Sequence, residues 1–125
     1  MPQVKIYGAA EYLADRRNQF MAVLNDSFLE VTSMTAEKIV YRFFPMAAVD
    51  LCVLGERTNR FSVVEITIFA GRSGKVKTQL IETIFVQAEK HLQLTAVDLE
   101  IMLWEIDPGN YGLRGSTGEK LLSGA

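Results

Sequence analysis

The stretch FSVVEITIFAGRSGKVKTQL, residues 61–80, contains the change of pattern that decides the fold. Residues 61–69 alternate between two faces and are rich in β-branched and aromatic side chains, which is typical of a β-strand. GRSG at 71–74 interrupts this pattern, and from Val76 to Leu92 apolar residues recur at helical intervals. The sequence therefore predicts a strand, a tight connection and an amphipathic helix, in that order.

The same order of patterns occurs once before this stretch, and a last strand follows it. QVKIY, residues 3–7, predicts a first strand, and the apolar spacing from Ala9 to about Glu30 predicts a helix. KIVYRFF, residues 38–44, predicts a second strand that ends at Pro45, and VDLEIMLWEI, residues 97–106, predicts the last strand. The chain thus repeats a β-α-β unit at a spacing of about 60 residues.

Two such units predict an α/β (α+β) fold with one four-stranded mixed sheet and two helices on one face. A chain of 125 residues is expected to form a single domain, with halves at 1–58 and 59–108 and a C-terminal hairpin arm at 109–125. Element order alone also permits a ferredoxin-like, ligand-sensing dimer. Because the predicted strands are largely apolar on both sides, we expect other subunits to cover the face without helices.

The single cysteine, Cys52, lies in the apolar run AAVDLCVL at 47–54. Such a run either extends the second strand or folds back beside it. We expect Cys52 to be a small buried side chain rather than a reactive thiol.

Charge and hydropathy disfavour several classes of partner. The formal net charge is −2, which argues against sequence-independent binding to phosphate backbones, so no nucleic acid partner is expected. No run approaches the roughly 18 apolar residues of a membrane span, and the first residues lack the basic flank and apolar core of a signal peptide. We therefore expect a cytoplasmic protein with no membrane partner.

Pro2, at the start of the first strand, has two interpretations. Proline lacks a backbone N–H and often begins strands, so its role could be to blunt the strand. If Met1 is removed, Pro2 instead becomes a secondary amine at the chain terminus, which is a candidate base or nucleophile. The small side chain of proline normally permits this removal, and we expect it here.

Arg72 stands where the third strand passes to the second helix, and Ser73 is placed to cap that helix. Helix N-termini attract anions, and a guanidinium binds a carboxylate through two parallel hydrogen bonds. Arg72 is therefore a candidate carboxylate clamp; the alternative is a solvated loop arginine. The stretch is not a P-loop, because Val76 stands where Ser or Thr should follow Lys75.

The tail DPGNYGLRGSTGEK, residues 107–120, holds four glycines around Tyr111 and Arg114. Glycine and asparagine supply turns, so the tail predicts a hairpin that either frays in solvent or completes a pocket on a neighbouring subunit. The single histidine, His91, lies at the end of the second predicted helix without a cysteine or second histidine near it, so no metal site is expected.

In their order and spacing, Pro2, ITIFAGRS at 66–73 and WEIDPGNYGLRG at 104–115 resemble the tautomerase superfamily. The resemblance is to its long-chain trimeric branch, which is like malonate semialdehyde decarboxylase and 4-oxalocrotonate tautomerase. It spans nearly the whole chain and is strongest from residue 61 to 119. The resemblance implies a macrophage migration inhibitory factor-like fold, a homotrimer and a keto-enol tautomerase, an isomerase without a cofactor.

The resemblance also implies residue roles. Pro2, as a free amine, would be the general acid and base on a small 2-oxo acid or enol carboxylate, and Arg72 would hold that carboxylate and stabilise the enolate. Tyr111 and Arg114 match the family's tail and would bind substrate, and Glu37 loosely matches an acidic residue of the decarboxylase. An α-amino group has an ordinary pKa of about 8, so a modest lowering would make Pro2 a base at neutral pH.

Two departures from the family pattern narrow the chemistry that the resemblance implies. Decarboxylases of this branch carry a second arginine two residues before the one matched by Arg72, and here that position is Ala70. The hydrolytic dehalogenases need a histidine near the end of the first helix, where this chain has Phe28, Leu29 and Glu30. Proton transfer in a 2-oxo acid or an enol remains, with a catalytically silent trimeric ligand-binding or scaffold protein as the alternative.

Overall fold

The computed structural model describes residues 2–124, which form four long strands, three helices between them and a C-terminal arm. The long strands and the helices between them are β1 (Gln3–Ala9), α1 (Ala10–Ala14), α2 (Arg17–Thr32), β2 (Val40–Met46), β3 (Ser62–Phe69), α3 (Gly74–Leu92) and β4 (Leu99–Ile106). The arm contains β5 (Gly112–Leu113), β6 (Ser116–Thr117) and α4 (Gly118–Ser123). The predicted four-stranded mixed sheet is confirmed.

The strand order in the sheet is β2-β1-β3-β4. Each β-α-β unit contributes a parallel pair, β1 with β2 and β3 with β4, and the antiparallel pair β1 and β3 joins the two units at the centre. In a ferredoxin-like split β-α-β arrangement, a strand of the other unit separates the two strands of each unit. The ferredoxin-like alternative is therefore wrong for this chain.

The two halves repeat down to their turns. Helix α2 ends at Ser33 with φ 60°, and α3 ends 60 positions later at Gln93 with φ 52°, both in the left-handed region. Short 3-10 turns before and after the next strand recur at the same spacing: Ala36–Lys38 with Ala96–Asp98, and Ala48–Asp50 with Pro108–Asn110. The spacing in the sequence thus corresponds to a repeated structural unit.

The first predicted helix is broken into α1 and α2, which corrects the expectation of one helix from Ala9 to Glu30. The backbone N–H of Arg16 donates to the Leu13 carbonyl at 3.1 Å, one residue closer than in an α-helix. The guanidinium of Arg16 takes the Tyr12 carbonyl at 2.9 Å instead and lies over the Tyr12 ring. The side chain of Arg16 therefore replaces its own backbone N–H as the partner of Tyr12, and the helix is interrupted.

The second strand and the segment after it also differ from the prediction. Strand β2 continues through Pro45 to Met46, because an edge strand tolerates a residue that cannot donate a hydrogen bond. Residues 47–54 form no strand, and Cys52 is exposed rather than buried. The sheet order explains this: the chain must pass from the edge strand β2 beyond β1 to reach β3, and this segment is part of that connection.

The core lies between the sheet and the helices on one of its faces. Its largest fully buried side chains include Val4, Ile6, Leu13, Phe20, Leu24, Phe28, Ile66, Leu80, Ile84 and Leu99. The opposite face carries partly exposed apolar groups, among them Phe44, Met102 and Trp104, the last 56% exposed. None of the helices within residues 2–124 has the length and apolar character needed to cross a membrane.

Two leucines on α2 test where the core lies. Leu24 is 1% exposed and Leu29 is 54% exposed. We expect Leu24→Ala to lower the free energy of unfolding by about 3 kcal/mol, because it leaves a cavity in the core. The same change at Leu29 should alter it by less than about 0.5 kcal/mol. Urea denaturation measures both, and equal losses would contradict this placement of the core.

Candidate active site

The antiparallel pairing of β1 with β3 places the start of the first strand beside the end of the third. Gln3 pairs with Thr67, so Pro2 and the turn after Phe69 lie at the same end of the sheet. Pro2 and Arg72 line one pocket of about 40 Å³ there. Its other lining residues are Phe28, Met34, Ile68, Phe69 and Leu80. The structure thus brings together the two residues predicted to be catalytic.

Pro2 is held at the base of this pocket by the edge strand. Its carbonyl oxygen accepts a hydrogen bond of 3.1 Å from the backbone N–H of Val40, and the residue is buried. Three of the pocket's apolar lining residues, Phe28, Ile68 and Leu80, are also buried. The surroundings of Pro2 are therefore mostly apolar. Met1 lies outside the described residues.

Arg72 enters the pocket from the turn between β3 and α3. Gly71 has φ 127°, a conformation that residues with a Cβ rarely adopt, and it lets the chain reverse directly after the strand. Ser73 caps α3 as predicted, since its Oγ accepts a hydrogen bond from the Val76 N–H at 3.2 Å. Within residues 2–124 the half-buried guanidinium of Arg72 forms no ion pair, so its donors are open to an anion.

Tyr111 lies behind one wall of the pocket. Its ring packs edge-on against Phe69, with centroids 5.3 Å apart, and its hydroxyl accepts a hydrogen bond of 2.8 Å from Gln3 Nε2. Its carbonyl oxygen accepts one from the N–H of Gly118, also at 2.8 Å. These contacts attach the C-terminal arm to the end of the sheet that carries Pro2.

Arg114 lies away from Pro2 in its own chain. It occupies the two-residue turn between β5 and β6 together with Gly115, and their φ values of 51° and 79° are typical of a type I′ hairpin. The side chain of Arg114 is exposed and does not line the pocket. The predicted hairpin is confirmed, but its continuation into α4 was missed.

Glu37 is also outside the pocket, in the 3-10 turn before β2. It is exposed, and its Oε1 accepts a hydrogen bond of 2.6 Å from Thr35 Oγ1. This hydrogen bond, followed by one from the backbone, holds the pKa of the Glu37 carboxyl below its usual value. Glu37 is thus a carboxylate at neutral pH.

The pocket in one chain is small. A volume of about 40 Å³ holds roughly three water molecules, which is less than a keto acid needs. Sequence reasoning missed Met34 and Leu80 as lining residues, because residues on apolar helix stripes normally belong to the core. In the described part of the chain, His, Cys, Asp and Glu form no group of three or more that would hold a metal ion.

A larger cavity of about 580 Å³ opens at the other end of β1, beside Ala9 and Met46. Its only lining guanidinium among the described residues, that of Arg57, is paired with Glu100 at 2.8 Å. This cavity contains neither the open cation nor the proline of the small pocket. The chemistry therefore favours the smaller pocket as the active site.

The arm is docked through a close contact at Gly118. A Cβ on Gly118 would lie 2.6 Å from Phe69 Cζ and 3.1 Å from the Pro108 carbonyl oxygen. We expect Gly118→Ala to displace Phe69, the pocket wall, and to cost about 1–3 kcal/mol in unfolding free energy. Gly74→Ala is the control, since its Cβ would meet nothing within 4 Å. Thermal unfolding of both variants measures the difference, and a neutral Gly118→Ala would show that the arm is not packed in this way.

Comparisons with known proteins agree with this geometry. A family model described as "Tautomerase enzyme" matches residues 26–114, a range that includes Glu37, Arg72, Tyr111 and Arg114 and begins after Pro2. The match covers more than half of the chain.

Solved structures share the fold at low sequence identity. A fused 4-OT asymmetric trimer is 18% identical with a TM-score of 0.82, covering 95% of this chain and 98% of that chain. A member of the cis-3-chloroacrylic acid dehalogenase family is 19% identical with a TM-score of 0.81, covering 97% and 88%. Malonate semialdehyde decarboxylase is 10% identical with a TM-score of 0.82, covering 98% of both chains. With the family match, these structures confirm the predicted fold: the chain belongs to the tautomerase enzyme family.

Proposed function

We propose that this chain is a keto-enol tautomerase that acts on a small 2-oxo acid or enol carboxylate. In this proposal Met1 is removed, Pro2 is the general acid and base, and Arg72 holds the substrate carboxylate. The observation that carries the proposal is that these two residues, far apart in sequence, line one small pocket. A solved relative, malonate semialdehyde decarboxylase, was studied with a mutant of its first residue from proline to alanine, which supports a role for such a proline there.

The surroundings of Pro2 suit proton transfer. An apolar environment and a nearby guanidinium both disfavour a protonated amine, so the pKa of a free Pro2 nitrogen should fall below its ordinary value of about 8. The unprotonated nitrogen then takes the proton of an enol hydroxyl and returns a proton to a carbon of the same molecule. The reaction consumes no second reactant. Arg72 contributes by fixing the carboxylate and by stabilising the negative charge that develops on the enolate.

A homotrimer would complete the site. The pocket in one chain is too small for a keto acid, and Glu37, Tyr111 and Arg114 lie outside it. The open face of the sheet carries apolar side chains that isolated soluble chains rarely expose as a continuous patch. The fused 4-OT structures of this fold are trimers. We therefore assign substrate-binding roles for Glu37, Tyr111 and Arg114 to an assembled site between copies.

A catalytically silent, trimeric ligand-binding protein is the second candidate. The small volume of the pocket favours it, as does Ala70, an exposed residue at the position where the resemblance places a second arginine. Such a protein would bind a carboxylate through Arg72 without turning it over. Turnover of an enol substrate separates the two candidates.

Replacement of Pro2 tests the proposed chemistry. We expect Pro2→Ala to reduce ketonisation of an arylenolpyruvate or a 2-hydroxy-dienoate by about 10²–10⁴-fold, because a general acid–base group is lost. Pro45→Ala, a change of an exposed proline on the edge strand, should leave the rate unchanged. The decay of enol absorbance measures both rates in protein shown by intact mass to lack Met1. Unchanged activity in Pro2→Ala would rule out this mechanism.

Replacement of Trp104 tests the assembly. A carboxylate in place of this 56% exposed side chain would be buried in an apolar interface, so Trp104→Glu should convert trimers to monomers. Val86→Glu, on the outer side of α3 and 63% exposed, is the matched control and should remain trimeric. Light scattering after size-exclusion chromatography gives the mass of each variant. A wild-type monomer, or a trimeric Trp104→Glu variant, would refute the proposed interface.

A further inference from the structure

A chain of hydrogen bonds joins three segments beside Pro2. Arg42, on the edge strand β2, donates from a guanidinium nitrogen to Gln3 Oε1. Gln3, the residue after Pro2, donates from Nε2 to the Tyr111 hydroxyl at 2.8 Å. Gln3 is half-buried and therefore partly shielded from water, which would otherwise compete for these bonds. The chain links β2, the start of β1 and the C-terminal arm.

The donor and acceptor chemistry of these groups fixes the direction of every bond. A guanidinium has only donors, so the carbonyl oxygen of the Gln3 amide must face Arg42. The amide nitrogen must then face Tyr111, and an amide NH₂ is only a donor. The Tyr111 hydroxyl therefore accepts, and its own proton is left over. Within residues 2–124 no acceptor takes this proton.

We propose that Gln3 and Arg42 are positioning residues that direct the Tyr111 hydroxyl proton toward an oxygen of the substrate. This inference rests on the proposed function, because it assigns Tyr111 as a hydrogen-bond donor to the carbonyl or carboxylate oxygen of a 2-oxo acid. Tyr111 is suitably placed, since its ring packs on the pocket wall Phe69 and its hydroxyl lies 2.8 Å from the side chain that follows Pro2.

An isosteric change reverses the last bond of this chain. In Gln3→Glu one carboxylate oxygen still accepts from Arg42, but the other accepts from Tyr111 and captures its proton. We expect Gln3→Glu and Tyr111→Phe each to lower kcat/KM for an arylenolpyruvate by about tenfold, the effect of one lost hydrogen bond. The double variant should lose about tenfold as well, because both changes remove the same proton.

Matched comparisons separate this effect from charge and from structure. Gln19→Glu, an exposed position on α2, adds the same charge away from the pocket and should leave kcat/KM unchanged. A negative charge near Pro2, or a loosened arm, would cost as much in the Tyr111→Phe background as in the wild type. Multiplicative losses in the double variant would therefore overturn the proposal.

A spectroscopic measurement keeps the proposal testable whether or not the protein turns over substrate. In ¹⁵N-labelled protein, the side-chain NH₂ resonances of Gln3 should shift in Tyr111→Phe, which lacks the acceptor, and stay in place in Gln19→Glu. Absence of activity in the wild type would reject the proposed function and leave this result standing. Unchanged Gln3 resonances in Tyr111→Phe would overturn the hydrogen-bond chain itself.

Discussion

The antiparallel pairing of β1 with β3 is the constraint on which the site depends. Each β-α-β unit forms a parallel pair by itself, but only the central pairing fixes how the two units meet. Because the pairing is antiparallel, the beginning of one unit lies next to the turn that follows the first strand of the other. A shift of this register by one residue would turn the apolar faces of both strands away from the helices. Core burial and site geometry are therefore fixed by the same hydrogen bonds.

The pocket combines two properties that shift proton affinity in the same direction. Apolar walls from α2, β3 and α3 keep water away from Pro2, and Arg72 places an unpaired cation in the same space. The arm adds a polar layer behind Phe69, where Tyr111 is held by Gln3 and by the backbone of Gly118. One chain supplies the acid–base group and the anion clamp, and a second copy is the natural source of the remaining volume and contacts.

The sequence was sufficient for the elements and their order, since a period of two in residues 61–69 and a helical period after Val76 each allow one interpretation. It was insufficient where side chains compete with the backbone: Arg16 breaks the first helix by taking a carbonyl, which periodicity does not record. The run around Cys52 is apolar but serves as a connection, because the sheet order depends on long-range pairing. Pro2 and Arg72 were predicted from chemistry and resemblance, whereas the Gln3 amide has no signal in sequence.

The central claim is that Pro2 is an unblocked amine whose basicity is tuned by apolar walls and by Arg72. Titration of the Pro2 nitrogen by NMR, in ¹⁵N-proline-labelled protein purified without a tag, tests it most directly. The account predicts a titrating amine with a pKa below the ordinary value of about 8, and a higher pKa in Arg72→Ala. A nitrogen that does not titrate, as in an amide, or one with the same pKa in wild type and Arg72→Ala, would contradict it.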